Sequence, residues 1–139
     1  MKLKEIMKTR VATVEMDDSL QVIQELFEKG RFHHLIVLSN KKEVLGVISD
    51  RDLLKELSPF LNTYSEQERD LATLKKKAHQ VMSRHLIYAS PETTVLGGAQ
   101  MMIEHSISCL PILDRNKSLL GIVTWKDMLK RAVRMMSGA

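Results

Sequence analysis

Two short stretches of the sequence carry side chains that could do chemistry together, and at the same spacing. Residues 46–54 read GVISDRDLL and residues 121–129 read GIVTWKDML. In each, an apolar run ends in a hydroxyl residue, Ser49 or Thr124. Two positions on stands a cation, Arg51 or Lys126, and directly after it a carboxylate, Asp52 or Asp127. Ser/Thr-x-x-Asp before an apolar run is a capping-box pattern, in which hydroxyl and carboxylate each accept from the other residue's backbone N–H. The same groups also suit a ligand. A hydroxyl, a helix N-terminus and a cation fit a phosphate. A carboxylate accepts from two vicinal hydroxyls, as a ribose offers. Together they describe a site the size of a nucleoside monophosphate, present twice. Gly46 and Gly121 lie within the apolar runs, where glycine weakens a strand unless a close approach requires it.

The two stretches belong to a longer repeat. Leu45 falls on Leu120, an offset of 75, and the register continues upstream without a gap. Met7 falls on Met82, Leu20 on Val95, and Leu35-Ile36-Val37 on Leu110-Pro111-Ile112. Each copy reads β-α-β-β-α. An extended stretch (10–14 or 85–89) precedes a helix. Asp17, Asp18 or Ser19 can cap the first such helix, and Thr93 or Thr94 the second. Leu20, Ile23, Leu26 and Phe27 form an apolar stripe at helical spacing, and Gly30 ends it as a C′ glycine would. Strands at 33–38 and 44–48 follow, with copies at 108–113 and 119–123. Helices then open at Ser49 and Thr124. Residues 58–77 read as a linker, a loop and then a charged helix whose Leu71 and Leu74 pack on the repeats. The fold class is α+β. The division is repeat 1 at 1–57, linker at 58–77, and repeat 2 with a C-terminal helix at 78–139.

Composition narrows the class. The 139 residues are 44% hydrophobic but 4% aromatic, with nine Met, so the core is aliphatic and adaptable. Net charge is +4. Lys75–Lys77 and the tail Lys126, Lys130, Arg131 and Arg134 read as solvated faces rather than a nucleic-acid patch. Cys109 is the sole cysteine, in an apolar run, so it reads as core rather than nucleophile. The N-terminus has no apolar segment of signal-peptide type, and no run is long enough to span a membrane. The expected location is the cytoplasm, with no membrane partner.

The doubled pattern Gly-φ-φ-Ser/Thr-x-x-Asp-φ (φ, apolar), each copy with an upstream HHLIV or SCLPI strand, resembles a tandem pair of cystathionine β-synthase (CBS) domains, a Bateman module. The resemblance implies two repeats packed with pseudo-two-fold symmetry and a regulatory sensor of adenosine ligands (AMP, ADP, ATP, or S-adenosylmethionine), held in clefts between the repeats. It assigns ribose to Asp52 and Asp127. It assigns phosphate to Ser49, Arg51, Thr124 and Lys126, with His34 reaching phosphate beside Asp52. It assigns the base to Ile87, Ile107 and Ser108 for the Asp52 cleft, and to Ala12, Phe32 and His33 for the Asp127 cleft. Family members commonly dimerise through helices, so a homodimer is expected, with Leu53, Leu54, Met128, Leu129, Met135 and Met136 as candidate surface or core. Pro111, opposite Ile36, is the commoner residue in the family. Asp50 stands where the second copy has Trp125, so the Asp127 cleft is expected to accept phosphate more readily. Gly97-Gly98 marks either a frayed helix start or close packing.

No catalytic constellation accompanies these residues. His33, His34, His79, His85 and His105 form no HExxH pattern, and the sequence holds no P-loop, Gly-x-Ser-x-Gly or Gly-x-Gly-x-x-Gly. Adjacent His33 and His34 point to opposite faces of a strand, which disfavours shared metal ligation. The expectation is no enzyme, no catalytic cofactor and no metal. The adenosine nucleotide acts as regulatory ligand, and output runs through a partner protein or oligomerisation. The alternative is a structural or interaction protein whose two motifs only cap helices.

Overall fold

The structure, a computed structural model, describes residues 1–138. The chain forms two compact α+β units: Ala12–Leu86, and Met1–Val11 together with Ile87 onward. The first eleven residues thus belong with the second repeat, and the segment before Ile87 belongs with the first.

In the unit of Ala12–Leu86, strand β1 (Thr13–Glu15) pairs parallel with β2 (His34–Leu38), which pairs antiparallel with β3 (Val44–Ser49). Helix α1 (Leu20–Lys29) opens at Ser19, whose hydroxyl accepts from Val22 N–H. It buries Leu20 and Ile23 against Val14, Leu35, Val37 and Ile48, the i, i+3 stripe of an amphipathic helix. Gly30 does stop α1, but with φ −96° rather than in the left-handed conformation of a C′ glycine. Its missing side chain has a different cause, because a Cβ there would strike the Phe32 ring. Helix α2 (Asp50–Glu56) follows β3 directly. The linker is less helical than its composition suggests. It forms α3 (Glu68–Ala72), a 3-10 turn (Thr73–Lys75) and α4 (Ala78–Val81). The Thr73 hydroxyl donates to the Asp70 carbonyl, a side-chain bond that competes with helix continuation. Leu71 is exposed rather than packed, and Leu74 is half-buried.

The second unit holds α5 (Val95–His105, opened by Thr94), β4 (Cys109–Leu113), β5 (Leu119–Thr124) and α6 (Trp125–Met136). Its core gathers Leu3, Ala89, Met102, Leu110, Ile112 and Val123, and Cys109 is buried. The expected first strand is reduced to one parallel bridge, Ala89 to Ile112. Pro111 explains the loss. In the first repeat Ile36 N–H donates to the Ala12 carbonyl at 3.1 Å, whereas Pro111, at the matching place, has no N–H to give to Ile87. Helix α5 is not frayed at Gly97-Gly98. A Cβ on Gly98 would lie 2.8 Å from Leu3 and 3.1 Å from Met128, so Gly98 admits Leu3 to the core. Of the six apolar residues offered for a dimer surface, Leu53 is buried and Met128 packs on the core. Leu54, Leu129, Met135 and Met136 are exposed.

Candidate functional site

Each Ser/Thr-x-x-Asp motif sits where a strand turns into a helix, and both form the capping box. Asp52 N–H donates to Ser49 Oγ at 3.1 Å, and Ser49 N–H donates to Asp52 Oδ2 at 2.9 Å. In the second copy Thr124 N–H donates to Asp127 Oδ2 at 2.9 Å, Thr124 Oγ1 donates to the same oxygen at 3.1 Å, and Asp127 N–H donates back to Thr124 Oγ1 at 3.4 Å. The cap therefore uses Oδ2 in both. Each carboxylate keeps Oδ1, and an ionised carboxylate offers about four lone-pair sites. Capping and holding a diol are compatible on one side chain.

The two carboxylates differ in surroundings. Asp127 is 8% exposed and its Oδ1 lies 3.6 Å from Lys8 Nζ. Asp52 is half-buried, and among the described residues no lysine or arginine pairs with it. Lys8 is a functional candidate that the motif search passed over. Moving one position beyond Met7 and Met82 in the repeat register would have exposed the difference, Lys8 against Ser83.

The other predicted residues distribute as follows. His34 pairs with Ser49 across β2 and β3, which places it beside the Asp52 motif. Burial, and then the neighbouring His33, push its pKa below the ordinary histidine value against the opposing charges of Asp50 and Asp52, which favours the uncharged imidazole. His33 Nδ1 lies 2.8 Å from Asp50 Oδ2, and Asp50 N–H donates to the His33 carbonyl at 3.0 Å. Asp50 thus has its own cationic or donor partner. Its counterpart Trp125 keeps the backbone bond, donating to the Ser108 carbonyl at 3.0 Å. Arg51 and Lys126 are exposed at the second helical position of α2 and α6. The Phe32 ring packs at 5.7 Å on Phe27. Ala12 packs on the core of its unit, as Ile87 and Ile107 do on theirs.

Gly46 and Gly121 do meet a close approach, and the approaching group is backbone. A Cβ on Gly121 would lie 2.7 Å from the Lys8 carbonyl, and one on Gly46 would strike the Ser83 carbonyl. Lys8 bridges Ile122 with two bonds of 2.9 Å, and Ser83 bridges Val47 at 2.9 and 3.3 Å. These crossings deliver Lys8 to Asp127.

A cavity of about 200 Å³ opens beside Asp127, lined by Glu5, Ile6, Lys130, Arg131 and Arg134 as well. Among the described residues no group of three His, Cys, Asp or Glu side chains could hold a metal. No helix among them is long and apolar enough to cross a membrane.

Two α+β repeats at an offset of 75 residues, each placing a capping carboxylate where its last strand enters a helix, define a tandem-repeat module. The chain belongs to the CBS-domain family, whose model matches residues 3–59 and again 78–134. It is 32% identical to the CBS domain-containing protein YhcV of Bacillus subtilis, covering 97% of this chain and 86% of that one. Among solved structures, the CBS domain pair of protein MJ0100 in complex with 5′-methylthioadenosine and S-adenosyl-L-methionine superposes with a TM-score of 0.79 at 23% identity, covering 95% of each chain. CBSX2 in complex with AMP superposes with a TM-score of 0.78 at 21% identity, covering 97% of this chain and 98% of that one.

Proposed function

We propose that this protein is a regulatory module that binds an adenosine ligand of the AMP, ADP or ATP type at Asp52 and at Asp127, performs no catalysis, and signals through a change of shape or partner. The observation that carries this is the pair of capping carboxylates, each with an oxygen left beyond the cap. Ser49 with Arg51, and Thr124 with Lys126, take the phosphate; His34 lies beside the Asp52 motif. The adenosyl ligands of the MJ0100 pair and of CBSX2 support the ligand class. The module works in the cytoplasm as a homodimer, with an effector protein as a further partner. The dimer forms on the groove of about 720 Å³ between α5 and α6, lined by Leu96, Ala99, Trp125, Leu129 and Met135 among others.

A second reading is favoured by the completeness of both capping boxes: the motifs are caps and the protein is an interaction module. Calorimetric titration of AMP, ADP, ATP and S-adenosylmethionine separates the two. Under the first reading wild type binds saturably, and Asp52→Ala and Asp127→Ala each remove one site while circular dichroism shows them folded. Absence of binding by folded, nucleotide-stripped protein selects the second.

A further inference from the structure

Position for position, the two carboxylates share a cation at Arg51 and Lys126 and another at Lys55 and Lys130, and differ in the remaining charges around them. Lys8 lies 3.6 Å from Asp127, and the matching residue of the first repeat is Ser83. The cavity beside Asp127 is lined by Lys130, Arg131 and Arg134, and the matching residues are Lys55, Glu56 and Pro59. Glu56 is paired with Lys76 at 2.9 Å, so that lysine is engaged. Trp125 is matched by Asp50, which adds a carboxylate two residues before Asp52. Arg84, beside Ser83, is tied to the His79 carbonyl at 2.9 Å. On the Asp127 side the one other acid of the cavity lining, Glu5, already accepts from Lys2 N–H at 2.6 Å.

The cations near Asp127 are also arranged in a line. Lys126, Lys130 and Arg134 are four residues apart on α6, on one stripe, and they span about 12 Å of helix. That matches a chain of phosphates better than a single one. Lys8 adds a selection of its own. With no ligand it partly neutralises Asp127. An uncharged ligand that takes the carboxylate returns the half-exposed Lys8 to water, whereas a phosphate-bearing ligand gives it a new partner.

We propose that the two sites differ in the number of phosphates they take: the Asp127 side takes an adenosyl ligand with two or more phosphates, and the Asp52 side, where Arg51 is the motif cation, takes one with a single phosphate or none. This rests on the adenosine-ligand reading above. Lys8 is the residue that sets the preference at Asp127, with Lys130, Arg131 and Arg134 extending it.

The test isolates each side. Asp52→Ala leaves the Asp127 side, and Asp127→Ala leaves the Asp52 side; where either fails to fold, Asp→Asn keeps an acceptor for the cap and loses the charge. Adenosine, AMP, ATP and S-adenosylmethionine are titrated into each by calorimetry. The Asp127 side is expected to bind ATP about tenfold or more tightly than adenosine, several partly exposed cations each adding a fraction of that factor. The Asp52 side is expected to bind AMP or adenosine more tightly than ATP. Lys8→Ala added to Asp52→Ala should weaken ATP and strengthen adenosine. Equal preferences on the two sides, or a Lys8→Ala effect of the same sign for both ligands, overturns the phosphate selection and leaves the adenosine reading standing. No binding of any of the four to folded wild type overturns that reading and this one with it.

Discussion

Asp52 and Asp127 show how one side chain serves fold and site together. The cap uses one carboxylate oxygen, at 2.9 Å in both copies, and contributes about 1 kcal/mol. The spacing announces such a cap because it is local, three residues along one chain. The pairing of Lys8 with Asp127 is not local, and no spacing rule reports it. The same limit applies to Asp70, a buried carboxylate that sequence reading gave no role. The Ser58 hydroxyl donates to its Oδ1 at 2.7 Å and Gln67 N–H to its Oδ2 at 2.8 Å. The Ser58 bond, then the Gln67 bond, hold the Asp70 pKa below the ordinary value. A depressed carboxylate pKa means that the unfolded chain binds the proton more readily. The stabilisation is therefore present above the unfolded value, near pH 4, and is lost as pH falls through the folded one. Ser58→Ala should lower the urea midpoint at pH 7, and the gap to wild type should narrow towards pH 3. A gap that is constant across that range would remove Asp70 ionisation from the account.

At the scale of elements, the repeat register and the period of each segment placed the helices and paired strands, because apolar periodicity follows from which face is buried. Three features escaped it. Pro111 removes the N–H that Ile36 supplies in the first copy, so the second copy keeps a single bridge at Ala89. Leu71 has helical spacing to Leu74 but lies in a segment cut short by the bond from Thr73 to the Asp70 carbonyl. Leu53 and Met128 turn inward, which an apolar stripe alone does not decide. The glycines of the last strand in each copy, Gly46 in β3 and Gly121 in β5, were legible as close approaches but not as to what approaches. The segment leading into one repeat crosses the last strand of the other over a glycine, Lys8 over Gly121 and Ser83 over Gly46. Gly121→Ala should therefore cost about 1–3 kcal/mol through overpacking, read as a lower urea midpoint, and Gly46→Ala should behave alike. Wild-type stability in both variants would show that the lead-in segments yield without penalty, and would leave the strand glycines unexplained.

At the scale of the whole molecule, the sequence neighbourhood and the packing neighbourhood differ. Leu3, at the start of the chain, is fully buried in the core formed by Leu110, Ile112 and Val123. Helices α5 and α6 spend their inward faces on that core and leave an apolar outer face. Leu96, Ile103, Trp125, Leu129, Val133 and Met136 are all exposed, and Leu96, Trp125 and Leu129 line one groove with Met135, an apolar surface of the kind that marks interaction sites. Lys126, Lys130 and Arg134 edge one side of α6, so the proposed second copy is assigned to the groove towards α5, whose lining side chains are apolar apart from Thr94 and Arg131. Leu129 lines that groove at 53% exposure and is absent from the core cluster. Leu129→Glu would then place two buried carboxylates in a symmetric interface, which costs far more than the lost apolar contact, while leaving the protomer's own core intact. Sedimentation at micromolar concentration is expected to give a dimer for wild type and a monomer for Leu129→Glu, with unchanged far-ultraviolet dichroism. A wild type that sediments as a monomer would free this face for an effector protein, and a variant that remains dimeric would move the interface elsewhere, with Leu54 the next exposed apolar residue to substitute.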